Sequence, residues 1–481
     1  MVVNVREVDR EQLWLMPPSL SDWLPEDHLA WFILDVVAEL DLGGFYANLR
    51  DDGRGGAAYD PAMMLAVLLY AYCVGERSSR RVERRLVEDV AFRVVAANQC
   101  PDHATLARFR AQHQEAITAL FAQVLGLCVT EGLVATGVVS VDSTKLEANA
   151  SAWSNRTRRQ IAEEIVAEAE RADAAEDAEL GDRRGGELPE RWARQRDRRP
   201  RLAEALRQLE GQGASDWEAY QAERAAKEAT TGRRLAGRKP RPGSRNAKER
   251  HANTTDPDSR MLRARNRFLQ GYNAQAAISE DQVVVAAELT NAANDSTMFA
   301  PLARATEANL AQAGWTGAVG AYAADAGYWS VPNATLATGA AVLIAPMPAT
   351  QGITDPDDPR IAKRDAVLGR LEAGRLTLKR AAAEMGVSET WARHLRDTRR
   401  RGGPDPARAR KEMLSRLASE EGRSLYAKRW STAEPVFGNI KANLRFRRFS
   451  RRGKRAVLSE WRLICSVHNL LKVRAARLAA A

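Results

Sequence analysis

The chain has 481 residues, 45% of them hydrophobic and 28% charged, with a formal net charge of +10. This composition can bury a sizeable core, and the longest apolar run, the 13 residues Ala62 to Val74, is too short to span a bilayer. The opening MVVNVREVDR has no signal-peptide pattern, and the four cysteines lack CxxC spacing, so they read as buried thiols of a reducing cytosol, neither zinc ligands nor disulfides.

Residues 1–130 read as helical. Asp60-Pro61 is a helix start, an N-capping acid before a first-turn proline, and AMMLAVLLYAYCVG after it reads as a buried helix. From Ser78 the spacing of Val82, Leu86, Val87, Val90 and Ala91 predicts an amphipathic helix, and a further helix is predicted over residues 104–130. At Thr136 the pattern changes: TGVVSVDST is β-branched at strand density, with Asp142 at its end. Residues 155–260 are charged and poor in apolar periodicity. They read as a solvated helical insertion, with helices over 159–175 and 201–210, ending in a basic stretch around GRKPRPGS. Strands return at 271–278 and 281–290, a hairpin, then a helix from Asp295 or Ser296 to Ala313, then strands at 317–325, ending at Asp325, and 340–347. Strands interleaved with helices indicate an α/β layer fold. Residues 350–430 interrupt it, and Arg375 to Arg396 have helix-turn-helix spacing. Ala382-Ala383 permits close helix approach, Gly386 makes the turn, and Ser388 caps a second helix bearing Arg393 and Arg396; an ordinary helical hairpin has the same signature.

The positive charge is concentrated at one end. Lys441 to Ala481 holds 12 basic residues and one acid, Glu460, a local net of +11 that leaves −1 for the rest. Such an end fits a polyanion, most simply nucleic acid, and Trp461, Leu463, Ile464 and Leu470 within it indicate a folded segment. Three acids fall where an α/β fold concentrates charge: Asp142 and Asp325 at strand ends, and Glu434 in the first turn of a helix STAEPVFGNIKANL. Converging carboxylates with hard oxygens are what a two-metal phosphoryl-transfer site requires, and they suit Mg²⁺ or Mn²⁺. Each also has a plain structural reading. Asp142 and Asp325 are candidate turn residues, and Ser431-x-x-Glu434 is a capping box. Glu434, Gly438, Lys441 and Arg445 fall on one face of the expected helix, aligning an acid with cations.

The three blocks VSVDSTKLEANAS, YAADAGYWS and YAKRWSTAEPVFGNIKANLRFRRFSRRG, in this order, closely resemble those of bacterial insertion-sequence DDE transposases, in particular the family numbered eleven eighty-two of the IS-five-like assemblage. Tyr426, Arg429, Glu434 and Lys441 resemble the family's Tyr-Arg-Glu-Lys signature, with one residue more than the commonest spacing of related groups between Arg429 and Glu434. YDPAMMLAVLLYAYCVGERSSRRVERRL and PDHATLARFRAQH resemble its helical N-terminal domain.

The resemblance implies an α/β RNase H-like core, a mixed sheet flanked by helices, in which Asp142, Asp325 and Glu434 bind two Mg²⁺ (or Mn²⁺) ions. The enzyme would cut double-stranded DNA at transposon ends and pass the 3′-hydroxyls to target DNA, as a homodimer on DNA in the bacterial cytoplasm, associated with the nucleoid and no membrane. The expected organisation is an all-α DNA-binding domain over 1–132, the core over 133–154 and 262–349, a charged helical insertion over 155–261, a second helical insertion over 350–425 and a C-terminal part over 426–481. DNA contacts are expected from Arg108 and Arg110, which would read the terminal repeat from a helix start, and from Arg393, Arg396, Tyr426, Arg429, Lys441, Arg445, Arg447, Arg448, Arg451, Arg452 and Lys454. Alternatives are a non-catalytic DNA-binding regulator related to transposases, which loss of an acid would favour, and an RNase H-like nuclease without strand transfer.

Overall fold

The computed structural model describes residues 19–47, 58–165, 200–211, 251–264, 267–346, 359–400 and 406–480, apart from single positions within them, together with the isolated residues 49, 167, 221 and 224. The first of these build α1 (Leu29–Glu39), α2 (Gly43–Tyr46), α3 (Pro61–Cys73), α4 (Ser79–Glu88), α5 (Val90–Val95), α6 (His103–Gln112) and α7 (Gln114–Thr130). Asp60 caps α3 by accepting from the Met63 N–H, with Pro61 in the first turn as the sequence predicts, and every residue of α3 except Ala62 is buried. Two breaks depart from expectation. Asp89 ends α4 and caps α5 through the Ala91 and Phe92 N–H groups, so the apolar stripe is split, and Val87 and Val90 are exposed. The single helix expected over 104–130 is broken at His113, whose ring sits between the Phe109 and Phe45 carbonyls.

One sheet carries β1 (Val138–Glu147), β4 (Arg260–Ala264), β5 (Arg267–Ile278), β6 (Val284–Thr290), β7 (Ala321–Ala324) and β8 (Ala341–Ile344). β5 lies antiparallel between β1 and β6 and pairs β4 along its first half, while β1, β7 and β8 run parallel in that order. β1 does not end at Asp142 as expected. Its parallel pairing with β7 stops at Val141, but β5 continues the ladder to Glu147. β2 (Asn155–Thr157) and β3 (His251–Asn253) form a separate ribbon beside a small core of Ile161, Leu202, Ala205, Leu209 and Ala252. The basic stretch expected around GRKPRPGS lies outside the described residues.

After β6 come α8 (Phe299–Gln312) and α9 (Val331–Ala334), then α10 (Pro359–Glu372), α11 (Leu378–Met385) and α12 (Glu389–Arg400). The last three share a core of their own, Val367, Leu368, Leu371, Ala381 and Leu395. Gly386, at φ 66°, makes the turn after α11, and Ser388 Oγ accepts from the Trp391 N–H, the geometry expected of the helix-turn-helix spacing.

α13 (Pro406–Ala418), α14 (Glu420–Gly438) and α15 (Lys454–Ala480) complete the described chain. α14 begins at its cap Ser419, so Ser431 and Glu434 sit inside a helix already running and form no capping box. Pro435 within it has no N–H to give the Ser431 carbonyl, and Gln282 Nε2 donates to that oxygen instead, at 2.9 Å. A π-turn over Asn439–Asn443 and a left-handed Arg445 (φ 60°) then break the expected row from Glu434 to Arg445.

α15 packs on α7 and β6, and its Trp461, fully buried, donates from Nε1 to the Gln275 carbonyl at 2.9 Å. A single core joins Leu69, Phe92 and Leu120 of the first helices to Leu146, Tyr272 and Ala276 of the sheet and Trp461 and Ile464 of α15. The N-terminal helices therefore pack as part of the sheet's core. Among the cysteines, Cys73, Cys128 and Cys465 are buried, and burial pushes the thiols of Cys73 and Cys128 up to about 12; Cys100 is exposed, contrary to expectation. No described helix is long and apolar enough to cross a membrane.

Candidate active site

Parallel register brings two acids together. Val141 of β1 pairs with Ala324 of β7, so the next residues, Asp142 and Asp325, leave neighbouring strands side by side. Asp142 Oδ1 accepts from the Ser143 N–H at 2.7 Å, and Asp325 Oδ1 accepts from the Gly327 N–H at 2.9 Å, capping a short turn over Ala326–Tyr328. α14 lies across β1. Thr432 and Ser140 share a buried hydroxyl hydrogen bond, Tyr426 Oη donates to the Ala324 carbonyl at 3.3 Å, and Lys428 pairs with Glu280 at 2.7 Å. That seating places Arg429 Nη2 at 3.2 Å from Asp142 Oδ2 and 3.8 Å from Asp325 Oδ2. The Arg429 Nε is buried without a hydrogen-bond partner.

Asp142 is half-buried, its side chain 14% exposed, whereas that of Asp325 is 43% exposed. Burial pushes the Asp142 carboxyl up to about 6. Arg429 opposes the shift, and the nearby charges of Asp325 and Asp295 add to it.

Asp295 belongs to this cluster, although its sequence context marks it only as a helix start. α8 begins instead at Phe299, and Asp295 Oδ1 accepts from Asn273 Nδ2 and Gln275 Nε2, each at 2.7 Å. Tyr328 Oη donates to Gln275 Oε1, and burial, with Asp295, Asp142 and Asp325 nearby, drives the Tyr328 phenol well above its ordinary value. A Cβ at Gly327 would meet Asp325 Oδ1 at 3.0 Å and Asp295 Oδ2 at 3.1 Å, so both carboxylates close on a glycine. The signal in the sequence is a pair of amides, Asn273 and Gln275, two apart in the otherwise apolar second half of the strand. They share one face and require a buried acceptor.

Among the described residues, no hydrogen bond or ion pair joins Glu434 to the pair. That glutamate is exposed on α14, five residues beyond Arg429, which is about 140° round the helix. The charges acting most on Asp142 are those of Arg429, Asp325 and Asp295. Among the described residues no three acidic, histidine or cysteine side chains form a metal-holding group.

The expected cations divide. Arg110 is turned inward, donating to Tyr72 Oη, the Arg77 carbonyl and Ser79 Oγ, which ties α6 to α3 and α4; Arg108 on α6 is exposed. Arg396 pairs with its neighbour Asp397, and Arg393 is half-buried on α12. The C-terminal basic segment runs along the far end of β1. Arg448 Nε donates to the Ala148 carbonyl, Arg452 Nε to the Asn149 carbonyl, and the Phe449 N–H to the Glu147 carbonyl. Arg447 Nε donates to the Lys441 carbonyl, and Arg445 and Arg447 are exposed. Glu460 accepts from the backbone of Ser450 and Arg451, while the Lys454 N–H donates to Asp258 at the start of α15. Burial lowers the Arg451 guanidinium from its ordinary value.

Two family models match the chain: a Transposase domain (DUF772) over residues 18–112 and a Transposase DDE domain over residues 388–474. Both support an insertion-sequence DDE transposase, and the second supports an enzyme. Its span includes Arg429, Glu434 and Lys441, while Asp142 and Asp325 lie outside both spans. No curated protein and no solved structure matches the chain.

Proposed function

We propose that the chain is a transposase of the IS-five-like assemblage, family numbered eleven eighty-two, which cuts at the terminal inverted repeats of its element and joins the freed 3′-hydroxyls to target DNA. The observation that carries this reading is the pair Asp142 and Asp325, delivered side by side by parallel strands with Arg429 against both. The strand order supports an RNase H-like core: three antiparallel strands, β6, β5 and β1, followed by parallel β7 and β8.

The donors fit a divalent cation. They are hard carboxylate oxygens, and a cationic group, the Arg429 guanidinium, already lies against them. Asp142 and Asp325 would hold Mg²⁺ or Mn²⁺, and the resemblance makes Glu434 the third ligand. Such ions activate an attacking oxygen and stabilise a leaving one. The chain itself orients the carboxylates: the Ser143 and Gly327 N–H groups fix Asp142 and Asp325, and the Asn273–Gln275–Tyr328 network fixes Asp295 beside them. The phosphates of the DNA would be held by Lys441, Arg445, Arg447, Arg448, Arg451, Arg452 and Lys454. Arg108 is the candidate reader of the terminal repeat, with Arg110 positioning its helix and the α11–α12 pair as competitor. Two ends brought together would call for a dimer.

The test uses Asp142→Asn, Asp325→Asn and Glu434→Gln in the full chain. Each is expected to abolish divalent-cation-dependent cleavage of end-bearing DNA while leaving DNA affinity within about twofold, since affinity comes mainly from phosphate contacts. Cleavage at the wild-type rate removes that residue from the site. The exposure of Glu434, outside any metal-holding group among the described residues, favours the second reading, a DNA-binding relative without catalysis; an unaltered chain that binds the ends and never cuts them would establish it.

A further inference from the structure

Large apolar side chains are conspicuously exposed at one end of the sheet. Phe268 is 69% exposed, Met261 43% and Trp153 89%. Phe268 and Met261 belong to the β4–β5 hairpin. In its register Met261 faces Gln270, Arg263 faces Phe268, and Leu262 faces Leu269. Because opposed residues share a face, Leu262 and Leu269 are buried on one face, while Met261, Arg263 and Phe268 stand exposed on the other, which is covered again from the buried Gln270 onward. The Trp153 turn is fastened to that same side, as Asn155 Nδ2 donates to Gln270 Oε1 at 3.0 Å. The turn is also held firmly: Ser151 Oγ accepts from the Trp153 N–H, Arg156 donates to the Trp153 carbonyl, and Asn253 donates to the Ser151 carbonyl. The backbone is thus tied down while the indole is left outside.

The hairpin's position gives this patch a context. β5 runs antiparallel to β1, so its first residues project past Glu147, the end of β1 five residues beyond Asp142. There it meets the basic segment, whose Phe449 and Arg448 join β1 at Glu147 and Ala148. Arg267, 69% exposed, pairs with Glu147, and Arg263 is exposed. Arginines interleaved with exposed aromatics, continuous with a row of cations, fit a polyanion that carries stacked apolar rings.

We propose that the β4–β5 hairpin and the Trp153 turn form a DNA-contacting arm, in which Arg263 holds a phosphate and Phe268, Met261 and Trp153 lie against sugars and base steps, while Arg267 stands on the hairpin's other face beside Glu147. The inference rests on the transposase reading and adds a contact surface to it. Ala276 is the register partner of Asp142, and Phe268 lies eight residues before it on β5. At ~3.3 Å per residue this is ~26 Å. At ~3.4 Å per base pair, the arm meets DNA about eight base pairs from the phosphate at Asp142.

The experiment is hydroxyl-radical footprinting of the full chain on duplexes from the DNA flanking its coding sequence, with anisotropy titrations on the same duplexes. Phe268→Ala with Arg263→Ala, both exposed positions, is compared with wild type, and thermal melts confirm equal folding. A second variant, Trp153→Ala, probes the arm from the other element. The arm predicts that each variant loses protection about eight base pairs from the cut, keeps protection nearer to it, and binds at least fivefold more weakly. An unchanged footprint and affinity in both variants overturns the arm and leaves the transposase reading intact. Loss of a wild-type dimer in sedimentation, with the footprint per protomer unchanged, overturns it too and assigns the patch to a second copy. If the wild type protects none of these duplexes, the transposase reading itself falls, and the arm with it.

Discussion

Arg429 holds the charge balance of the carboxylate pair. Removing it leaves Asp142 half-buried and charged beside Asp325 with no cation against either. Arg429→Met should therefore destabilise the fold at pH 8 by about 3 kcal/mol, the cost of leaving a buried charge unpaired. Asp142 sets the sign of the pH dependence. Its carboxyl is already pushed up to about 6, above its ordinary 3.8, so the native state binds this proton more tightly than the unfolded chain. Its contribution to stability is present at low pH and is lost as pH rises through about 6, and without Arg429 the shift grows. The melting-temperature deficit of the variant should therefore narrow between pH 8 and pH 5; a deficit independent of pH would show that Arg429 acts by packing alone. Asp142 and Asp325 are legible in the sequence because each comes directly after a short β-branched or apolar run, and such a run places the next residue near a sheet end. Asp295 is not, because its donors Asn273 and Gln275 reach it only once β5 is paired. Arg110 has the look of a surface cation for a related reason. Its acceptors, Tyr72, Arg77 and Ser79, are more than thirty residues away in sequence.

Among the elements, α14 shows how a local pattern misleads when a longer helix overrides it. Ser431-x-x-Glu434 has the spacing of a cap, but the helix starts 12 residues earlier at Ser419, and Pro435 is carried inside it. That is tolerable because the β5–β6 turn supplies the missing donor. Gln282, held at φ 62°, gives its Nε2 to the Ser431 carbonyl, and its own carbonyl accepts from His468 Nε2 of α15 at 2.9 Å. Asn439 Nδ2 donates to the other ring nitrogen, so this histidine is held neutral, and burial lowers it to about 4. One turn thereby ties together a broken helix, a π-turn and the longest helix. Gln282→Ala should cost about 1–2 kcal/mol, because it leaves the Ser431 carbonyl without a donor. With Pro435→Ala restoring a backbone donor to that carbonyl, most of the cost should vanish, and chemical denaturation of the two single variants and the double variant measures it. Strictly additive losses would mean that the amide has no part in accommodating the proline. Strands and helices are largely legible, because their periods are local. The break at His113 is not, because it depends on the Phe45 carbonyl brought by folding, whereas that at Asp89 is a local cap hidden by the continuing apolar stripe.

For the whole molecule, the decisive fact is the shared core. α3, the sheet and α15 bury their apolar faces against one another, so the expected boundary at 132 does not mark an independent folding unit. A chain lacking residues 1–130 would expose Tyr272, Ala276 and Trp461, all fully buried here, and it should not give a cooperative melt. A sharp transition in that fragment would refute the shared core. The α10–α12 unit is different, since it has a core of its own. Charge is likewise a property of the whole. The basic segment spans the end of β1 beside the hairpin, and its exposed cations Arg445, Arg447 and Lys454 should each contribute about 0.9 to the slope of log K against log salt. Replacing all three by Ala should flatten that slope by two to three units in anisotropy titrations; an unchanged slope would place the DNA elsewhere.

The burial of three cysteines and the exposure of the fourth make the chain a ready spectroscopic object. Cys73, Cys128 and Cys465 are enclosed as neutral thiols, so a maleimide dye added under native conditions has one attachment point, Cys100. That residue stands two positions before Asp102, which caps α6 through the Thr105 N–H, and α6 carries the exposed Arg108. The native sequence therefore already holds a single-label reporter beside the helix proposed for end recognition. If DNA arrives at that helix as proposed, stopped-flow fluorescence would time it without altering a residue.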